Sequence, residues 1–161
     1  SNGSNAKKLI DQAGRNSLAQ IFKEYGEERL ASRIAKSIKE MTAMNTIADL
    51  REAIRRCTPP NHRDRTFARI FQALRIAVNG ELDILQKFLA KFIDFLRPGG
   101  RIVIISYHSL EDRLVKHSFK ELASGGTLDI LTKRPIEANE KERKNNRRAG
   151  SAKLRAAVKV A

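Results

Sequence analysis

Apolar residues recur at steps of three and four through residues 6–40, as one face of a helix requires. The period is interrupted at Gly14 and Gly26, which predicts two breaks in this helical stretch. A further short helix is predicted after Thr46, because a threonine hydroxyl can accept from the unpaired N–H groups at a helix start. The opening third of the chain is therefore predicted to be helical.

Two adjacent prolines, Pro59 and Pro60, close this stretch, since neither can continue a helix. We therefore predict a helical domain over residues 1–60 and a second domain over residues 61–161. The polar residues 1–5 are interpreted as a cloning remnant that precedes the first domain.

The second domain opens with an apolar stripe over residues 66–96, which predicts about thirty residues of helix bent at Asn79 and Gly80. The chain then turns at residues 97–100 and enters residues 101–107, where a β-branched run predicts a fully buried parallel strand. A helix, a Pro-Gly-Gly turn and a buried strand in this order are typical of a doubly wound α/β sheet. The predicted fold class is therefore α/β.

The elements after this strand are predicted in the same way. Ser109 is the expected cap of a helix that ends at the glycines 125–126. Short strands are expected over residues 128–131 and 154–160, with a solvated loop over residues 137–150.

Charge points to the class of partner. The chain has 161 residues with a formal net charge of +14, and residues 141–161 hold eight basic residues against Glu142 alone. Such a balance favours nucleic acid through counterion release, whereas the tail lacks the aromatic and amphipathic character that a membrane-surface segment needs. The plain alternative is that the charge only keeps the protein soluble. A single cysteine, Cys57, excludes an internal disulfide framework.

The candidate chemistry lies just after the predicted buried strand. Ligands of open α/β sheets bind beyond the carboxyl ends of the strands. There His108, Ser109, Glu111, Asp112 and Arg113 bring together an imidazole, a hydroxyl, two carboxylates and a guanidinium. This cluster favours a site that binds an acceptor and accepts or donates a proton. The alternative is a capped helix start with local ion pairs. No cysteine and histidine set has metal-ligand spacing, so no metal is expected.

Two further observations bear on function. Arg75 and Asn79 lie four apart on the long predicted helix, facing either the strand ends or solvent. A nucleotide- or methyl-donor-binding domain normally has a glycine-rich turn after its first strand. No such turn is found in this sequence, because the glycines 99–100 precede a predicted strand and the glycines 125–126 follow a predicted helix.

Five segments of the sequence form a specific series. They are YGEER at 25–29 with RIA at 33–35, FQALRIAVNGEL at 71–82, RPGGR at 97–101, SYHSLEDR at 106–113 with VK at 115–116, and SAKLR at 151–155. In order and spacing they resemble the RsmH (MraW) family of methyltransferases from about residue 6 to residue 160. Asn146 and Gly150 depart from the resemblance, which leads one to expect proline and arginine there.

The resemblance implies a partial class I, Rossmann-like methyltransferase sheet with a small helical inserted domain. It implies S-adenosyl-L-methionine-dependent methylation of the N4 amino group of a cytidine in the decoding region of small-subunit (16S) rRNA. The residues that bind the donor are expected in an N-terminal part absent from this sequence, so the isolated chain is expected to be inactive. The alternative function is a non-catalytic, basic RNA-binding module that has lost donor binding.

The resemblance also suggests roles for individual residues. His108, Ser109 and Glu111 are the candidates for gripping or deprotonating the cytosine amino group. The candidates for binding the acceptor or the rRNA are Arg75, Asn79, Asp112, Arg113, Lys116, Arg147, Arg148, Lys153 and Arg155. The expected partner is small-subunit rRNA or the assembled subunit, without a membrane, and the expected place is the bacterial cytoplasm or an organelle. A sheet edge left unpaired is expected to allow a homodimer.

Overall fold

The computed structural model describes residues 2–160, with side chains from residue 5 onward. The chain folds into two compact units, Ser1–Glu81 and Leu82–Ala161. The cloning remnant predicted at residues 1–5 lies mostly outside the residues whose side chains are described. The helices of the N-terminal unit are α1 (Asn2–Gln12), α2 (Arg15–Gly26), α3 (Ala31–Glu40), α4 (Ile47–Cys57) and α5 (Arg63–Asn79), with a 3-10 turn at Pro60–His62.

The core of the N-terminal unit forms where α2 packs against α3 and α5. Leu18 and Phe22 of α2, Ile34 of α3, Ile54 of α4 and Ile70 of α5 are completely buried in it. The side chains that the helical spacing assigned to one face therefore do meet in one core, which confirms the predicted helical unit. Burial of such side chains stabilises by about 1.5–3 kcal/mol each.

The two predicted glycine breaks are both observed. Gly14 precedes α2 in an extended conformation, and Gly26 is the last residue of that helix. A Cβ at Gly26 would lie 2.9 Å from the carbonyl oxygen of Arg69. Glycine therefore lets α2 and α5 approach closely at this point.

The segment after Gly26 is held by a buried carboxylate. One carboxylate oxygen of Glu28 accepts from the backbone N–H of Leu30, at the start of α3. The other lies 3.6 Å from Nη1 of Arg69, and the Glu28 side chain is 4% exposed. The packing of this unit thus explains Gly26 and Glu28 of the YGEER segment.

The cap predicted at Thr46 is confirmed. Its hydroxyl accepts from the N–H of Asp49 at 3.1 Å, and the Asp49 carboxylate accepts from the N–H of Thr46 at 2.8 Å. The hydroxyl and backbone hydrogen bonds from Thr46 lower the pKa of Asp49. This reciprocal capping box starts α4 where the sequence places it.

The long helix predicted over residues 66–96 is wrong as a single bent element. Helix α5 ends at Asn79, and Gly80 has a positive φ of 60°, which breaks the helix instead of bending it. The apolar stripe over residues 66–96 also contributes to two separate cores, because Ile70 packs in the first and Leu89 in the second. The two units divide at Glu81, beyond the domain boundary predicted at residue 60. The inserted domain as such stays a prediction.

The remaining elements run from the division to the last described residue. They are α6 (Glu81–Leu89), β1 (Arg101–Ser106), α7 (Ser109–Ser124), β2 (Leu128–Ile130), β3 (Ile136–Glu137), α8 (Glu140–Asn145) and β4 (Lys153–Lys159), with 3-10 turns at Phe92–Phe95 and Arg147–Ser151. The mixed α/β class is confirmed, and the fold is consistent with a partial Rossmann-like sheet.

The sheet is built around β4. Strands β1 and β2 lie on either side of it, β3 pairs with it as well, and all three pairings are antiparallel. The parallel pairing predicted for β1 is therefore not found among the described residues. In the β1–β4 register, Ile104 lies opposite Arg155.

Helix α7 covers one face of this sheet. Val115 and Phe119 of α7, Leu128 of β2 and Ala157 of β4 are nearly inaccessible and form the second core. Ile102 and Ile104 pack against the same core, whereas Val103 and Ile105 are 57% and 50% exposed. The prediction of a fully buried strand is wrong for this second face, because side chains alternate along a strand and only one face is covered here.

The loop predicted over residues 137–150 contains a short helix, α8. The side chain of Asn139 accepts from the N–H of Glu142 at its start, and basic residues occupy its last turn. These end effects stabilise a helix that has no buried residue. None of the helices within residues 2–160 combines the length and the apolar character needed to cross a bilayer.

Candidate functional site

The candidate loop joins β1 to α7 at the carboxyl end of β1. His108, not the predicted Ser109, is the N-cap of α7, and its Nδ1 accepts from the N–H of Glu111 at 3.4 Å. Ser109 is instead the first residue of the helix. The histidine takes the cap because it has extended backbone angles and its ring nitrogen reaches the N–H three residues on.

Glu111 closes the loop from the helix side. One of its carboxylate oxygens accepts from the N–H of Tyr107 at 2.8 Å, and the other lies 3.3 Å from Nε2 of His108. Burial raises the pKa of Glu111, but the close approach of the His108 side chain and the hydrogen bond from the N–H of Tyr107 outweigh it and leave that pKa lowered. The carboxylate is therefore ionised at neutral pH and faces the imidazole.

The imidazole of His108 is turned inward. Its side chain is 6% exposed, and among the described residues its buried Nε2 has no hydrogen bond of acceptable geometry. Since Nδ1 acts as an acceptor, a neutral His108 carries its proton on Nε2, next to the Glu111 carboxylate.

Tyr107 is the functional candidate that sequence reasoning missed. It follows β1 directly, and its side chain is 53% exposed beside the two inward-facing groups. The run of apolar residues before it led to its assignment as the end of the strand. An exposed aromatic next to polar groups at a strand end is a signal that points to base stacking.

Asp112 and Arg155, both predicted to contact the acceptor or rRNA, bind each other instead. The carboxylate of Asp112 accepts from Nε and Nη2 of Arg155 at 2.7 and 3.1 Å. Their side chains are 12% and 8% exposed, so the ion pair is largely buried. The pair links the first turn of α7 to the central strand, which gives both residues a structural role, and a contact with the acceptor or rRNA stays a prediction for each.

Arg75 and Asn79 are brought together in the N-terminal unit by Glu81. Both Nε and Nη2 of Arg75 donate to the Glu81 carboxylate, at 2.9 and 3.0 Å, and Nδ2 of Asn79 donates to it at 3.1 Å. The two predicted residues also line a cavity of about 360 Å³, whose walls include Phe71 and Leu74. Glu81 was not predicted, although the NGE sequence places a carboxylate directly after the helix end.

The remaining basic candidates are accessible. Arg113 and Lys116 are exposed on α7, and Arg147 and Arg148 are exposed in the 3-10 turn before β4. Lys153, the first residue of β4, is partly exposed. These exposed and partly exposed cationic side chains all follow the candidate loop in sequence, on surface that a polyanion can reach.

One of the two positions that depart from the resemblance, Asn146, has a structural role here. The side chain of Asn146 accepts from the N–H of Arg148 at 3.1 Å and so starts the turn that carries both arginines.

Comparisons with known proteins agree on one family. The model of the MraW methylase family matches residues 1–160. The Ribosomal RNA small subunit methyltransferase H of Synechocystis sp. is 49% identical over 158 residues, covering 96% of this chain and 51% of that protein. The protein of the same name from Kosmotoga olearia is 49% identical, with 96% and 53% covered. That of Trichormus variabilis is 53% identical, with 89% and 47% covered. The chain spans about half the length of the curated relatives it matches.

The Glu111 interactions predict a pH-dependent contribution to stability. Because the pKa of Glu111 is lower in the folded chain than in the unfolded one, its contribution is present above the unfolded value and is lost as the pH falls through the folded value. Glu111→Gln should therefore lower the free energy of unfolding by about 1 kcal/mol at pH 7 and by much less at pH 3. Urea denaturation at the two pH values measures both differences. The matched control is Glu121→Gln, on an exposed position of the same helix, and an equal loss in both variants would contradict the assignment.

The Asp112–Arg155 pair predicts a stability effect without an RNA effect. Arg155→Gln leaves a buried carboxylate without its partner, which should cost about 3–5 kcal/mol of unfolding free energy. Lys153→Gln, two residues earlier on the same strand, should change stability by less than about 0.5 kcal/mol. If Arg155→Gln left stability unchanged and instead reduced the salt dependence of RNA binding, Arg155 would be an RNA contact after all.

Proposed function

The chain belongs to the MraW methylase family, and from that membership we propose that it provides the acceptor side of an rRNA methyltransferase. The proposed reaction is methylation of the N4 amino group of a cytidine in the decoding region of small-subunit rRNA. The curated relatives carry the name of an rRNA small subunit methyltransferase, which supports the substrate class. The bacterial cytoplasm, where such rRNA is made, is part of the same proposal.

One observation carries the proposal. At the carboxyl end of β1, an ionised carboxylate, an inward-facing imidazole and an exposed tyrosine ring lie within one turn of chain, at Glu111, His108 and Tyr107. This is the position at which α/β sheets bind their ligands. A base with a polar amino edge and a flat face fits both kinds of group.

The proposed roles of these residues follow from the chemistry of the cytosine amino group. The lone pair of the cytosine amino group is delocalised into the ring, so an acceptor for an N4 hydrogen would help to free it. Glu111 is suited to accept a hydrogen bond from that amino group, because its lowered pKa keeps the carboxylate ionised. His108 positions that carboxylate, Ser109 lies beside it at the start of α7, and Tyr107 would stack on the base once it is splayed out of the RNA.

The methyl donor of the proposed reaction is S-adenosyl-L-methionine, which supplies the activated methyl group. Within residues 2–160 the paired glycines at 99–100 precede β1, and those at 125–126 follow α7. The described residues therefore do not form the strand and glycine-rich turn that bind such a donor, and no donor contact is assigned to this chain. On its own, the chain is proposed to be inactive.

The rRNA backbone is proposed to contact the exposed cations. Arg113 and Lys116 lie on the helix that begins at the acceptor loop, and Arg147, Arg148 and Lys153 follow along the chain. Arg75 and Asn79 are proposed to contribute to acceptor binding from the cavity that they line.

A non-catalytic RNA-binding module is the second candidate function. It is favoured by the position of the glycines, which leaves the described residues without a donor-binding turn. Both candidates predict RNA binding by this chain, and only methyl transfer separates them.

A homodimer is proposed through β1, which has β4 on one side and no strand on the other among the described residues. The unpaired backbone groups at this edge allow pairing with a second copy, and the exposed Val103 and Ile105 add apolar surface on the adjoining face. Sedimentation velocity should show association that rises with concentration, and Val103→Lys should reduce it more than Ile47→Lys, a control at an exposed residue of α4. A monomer at all concentrations would contradict this proposal.

Catalysis is tested by placing this chain in a whole enzyme. We would replace the matched segment of the Synechocystis relative with this sequence and follow transfer of a labelled methyl group from S-adenosyl-L-methionine to small-subunit rRNA. The chimera should methylate the RNA, and digestion with mass spectrometry should identify N4-methylcytidine. This chain alone should give no transfer.

Variants of the chimera test the acceptor loop. Glu111→Gln and Tyr107→Ala should each lower the turnover by about tenfold to a hundredfold or more, whereas Glu121→Gln should leave it within about twofold. A folded chimera that binds the donor and the RNA but methylates nothing would favour the non-catalytic module. A different methylated nucleoside would contradict the proposed specificity.

A further inference from the structure

A basic cavity lies away from the candidate loop, on the part of α7 that follows its second turn. It has a volume of about 370 Å³ and is formed by α7, by the segment after β2 and by β4. The cationic side chains at its rim are Lys116, Lys120 and Lys133, and all three are exposed.

The charges of the three lysines are not neutralised by a carboxylate in the part of the chain that the structure describes. Among the described residues none of them forms an ion pair. Asp112 is the acidic residue one turn before Lys116, but it is buried against Arg155. Lys116 and Lys120 are themselves one turn apart, so they repel each other and favour an anion between them.

The third lysine is held in place by the backbone. Leu131 and Thr132 both donate N–H groups to the carbonyl of Ala156, at 2.9 and 3.3 Å. The Thr132 hydroxyl accepts from the N–H of Ala156 at 2.9 Å. This clamp fixes the segment that carries Lys133 onto β4, so the three cations surround a preformed cavity.

The interior of the cavity limits what can occupy it. Phe119 and Ile130 form apolar wall, but Phe119 is 1% exposed and offers no free face on which a base could stack. Arg155 also lines the cavity, with Nε and Nη2 already bound to Asp112. Ammonium groups around a site without a stacking surface suit a phosphate rather than a nucleobase.

We propose that this basic cavity binds phosphates of the RNA strand whose base enters the candidate loop. The inference rests on the proposed function and deepens it by giving the acceptor strand a direction along α7. Lys116 follows His108 by eight residues, which corresponds to about 12 Å along a helix. Backbone phosphates held at that distance would fix the register of the RNA without reading its sequence.

The test is the salt dependence of RNA binding by this chain, measured by anisotropy of a labelled, unstructured short RNA. The combined substitutions Lys116→Gln, Lys120→Gln and Lys133→Gln should reduce the slope of log K against log salt by about 2. At physiological salt the Kd should rise roughly tenfold. The control replaces Lys8, Lys23 and Lys91 by Gln, three exposed lysines with the same total charge, and should change the slope by much less.

Two further measurements locate the contact. Bound RNA should protect Lys116, Lys120 and Lys133 from acetylation in the unaltered chain, and leave Lys8, Lys23 and Lys91 reactive. Lys133→Gln alone, in a segment outside any helix or strand, should reduce the slope by about 0.7 with unchanged circular dichroism.

Each other outcome overturns the proposal. Equal slope changes in the two triple variants would mean a general charge effect, and an unchanged slope with normal RNA binding would exclude the cavity while leaving the proposed function intact. Protection by inorganic phosphate but not by RNA would mean a small-anion site. If the chain bound no RNA, the cavity proposal would fail, and the methyl transfer of the chimera would decide the proposed function separately.

Discussion

The C-terminal unit depends most on the buried ion pair between Asp112 and Arg155. Two charges removed from water are tolerated only when they satisfy each other, and here both carboxylate oxygens accept from the guanidinium. Asp112 belongs to the first turn of α7, and Arg155 belongs to β4, the strand with which β1, β2 and β3 all pair. One contact therefore fixes the start of the helix against the strand that holds the sheet together. Since His108 and Glu111 lie in that same turn, the geometry of the acceptor loop depends on it too.

The helical unit could be predicted from the sequence because its signals are local. The cap at Thr46 and the breaks at Gly14 and Gly26 require only residues within one turn, and the structure has all three. Two of the predictions that failed did so through competition between local signals. At Gly80 a left-handed backbone ended a helix whose apolar period continued, and at the start of α7 the ring nitrogen of His108 took the cap expected from Ser109.

The position of the candidate site could be predicted from the sequence, but the contacts among its side chains could not. The rule that ligands bind at strand ends found the loop, because that rule needs only the position of β1. It could not tell that Asp112 faces inward, since its partner Arg155 is 43 residues away and becomes a neighbour only through the order of strands in the sheet. The same holds for Lys133, which joins Lys116 and Lys120 because β2 pairs with β4. Contacts across a sheet depend on topology, which a short pattern does not contain.

The composition of β1 constrains how this chain functions. A strand with one wet face usually alternates apolar and polar residues, yet residues 102–105 are apolar without exception. Ile102 and Ile104 pack under α7, and Val103 and Ile105 are half exposed. That pattern is explained by a state in which both faces are covered. A second copy of the chain could cover the face with Val103 and Ile105, and in relatives about twice as long the additional polypeptide could do so. Covering this face is distinct from pairing a strand at the free edge of β1, so the apolar residues on the face and the unpaired backbone at the edge favour two separate contacts.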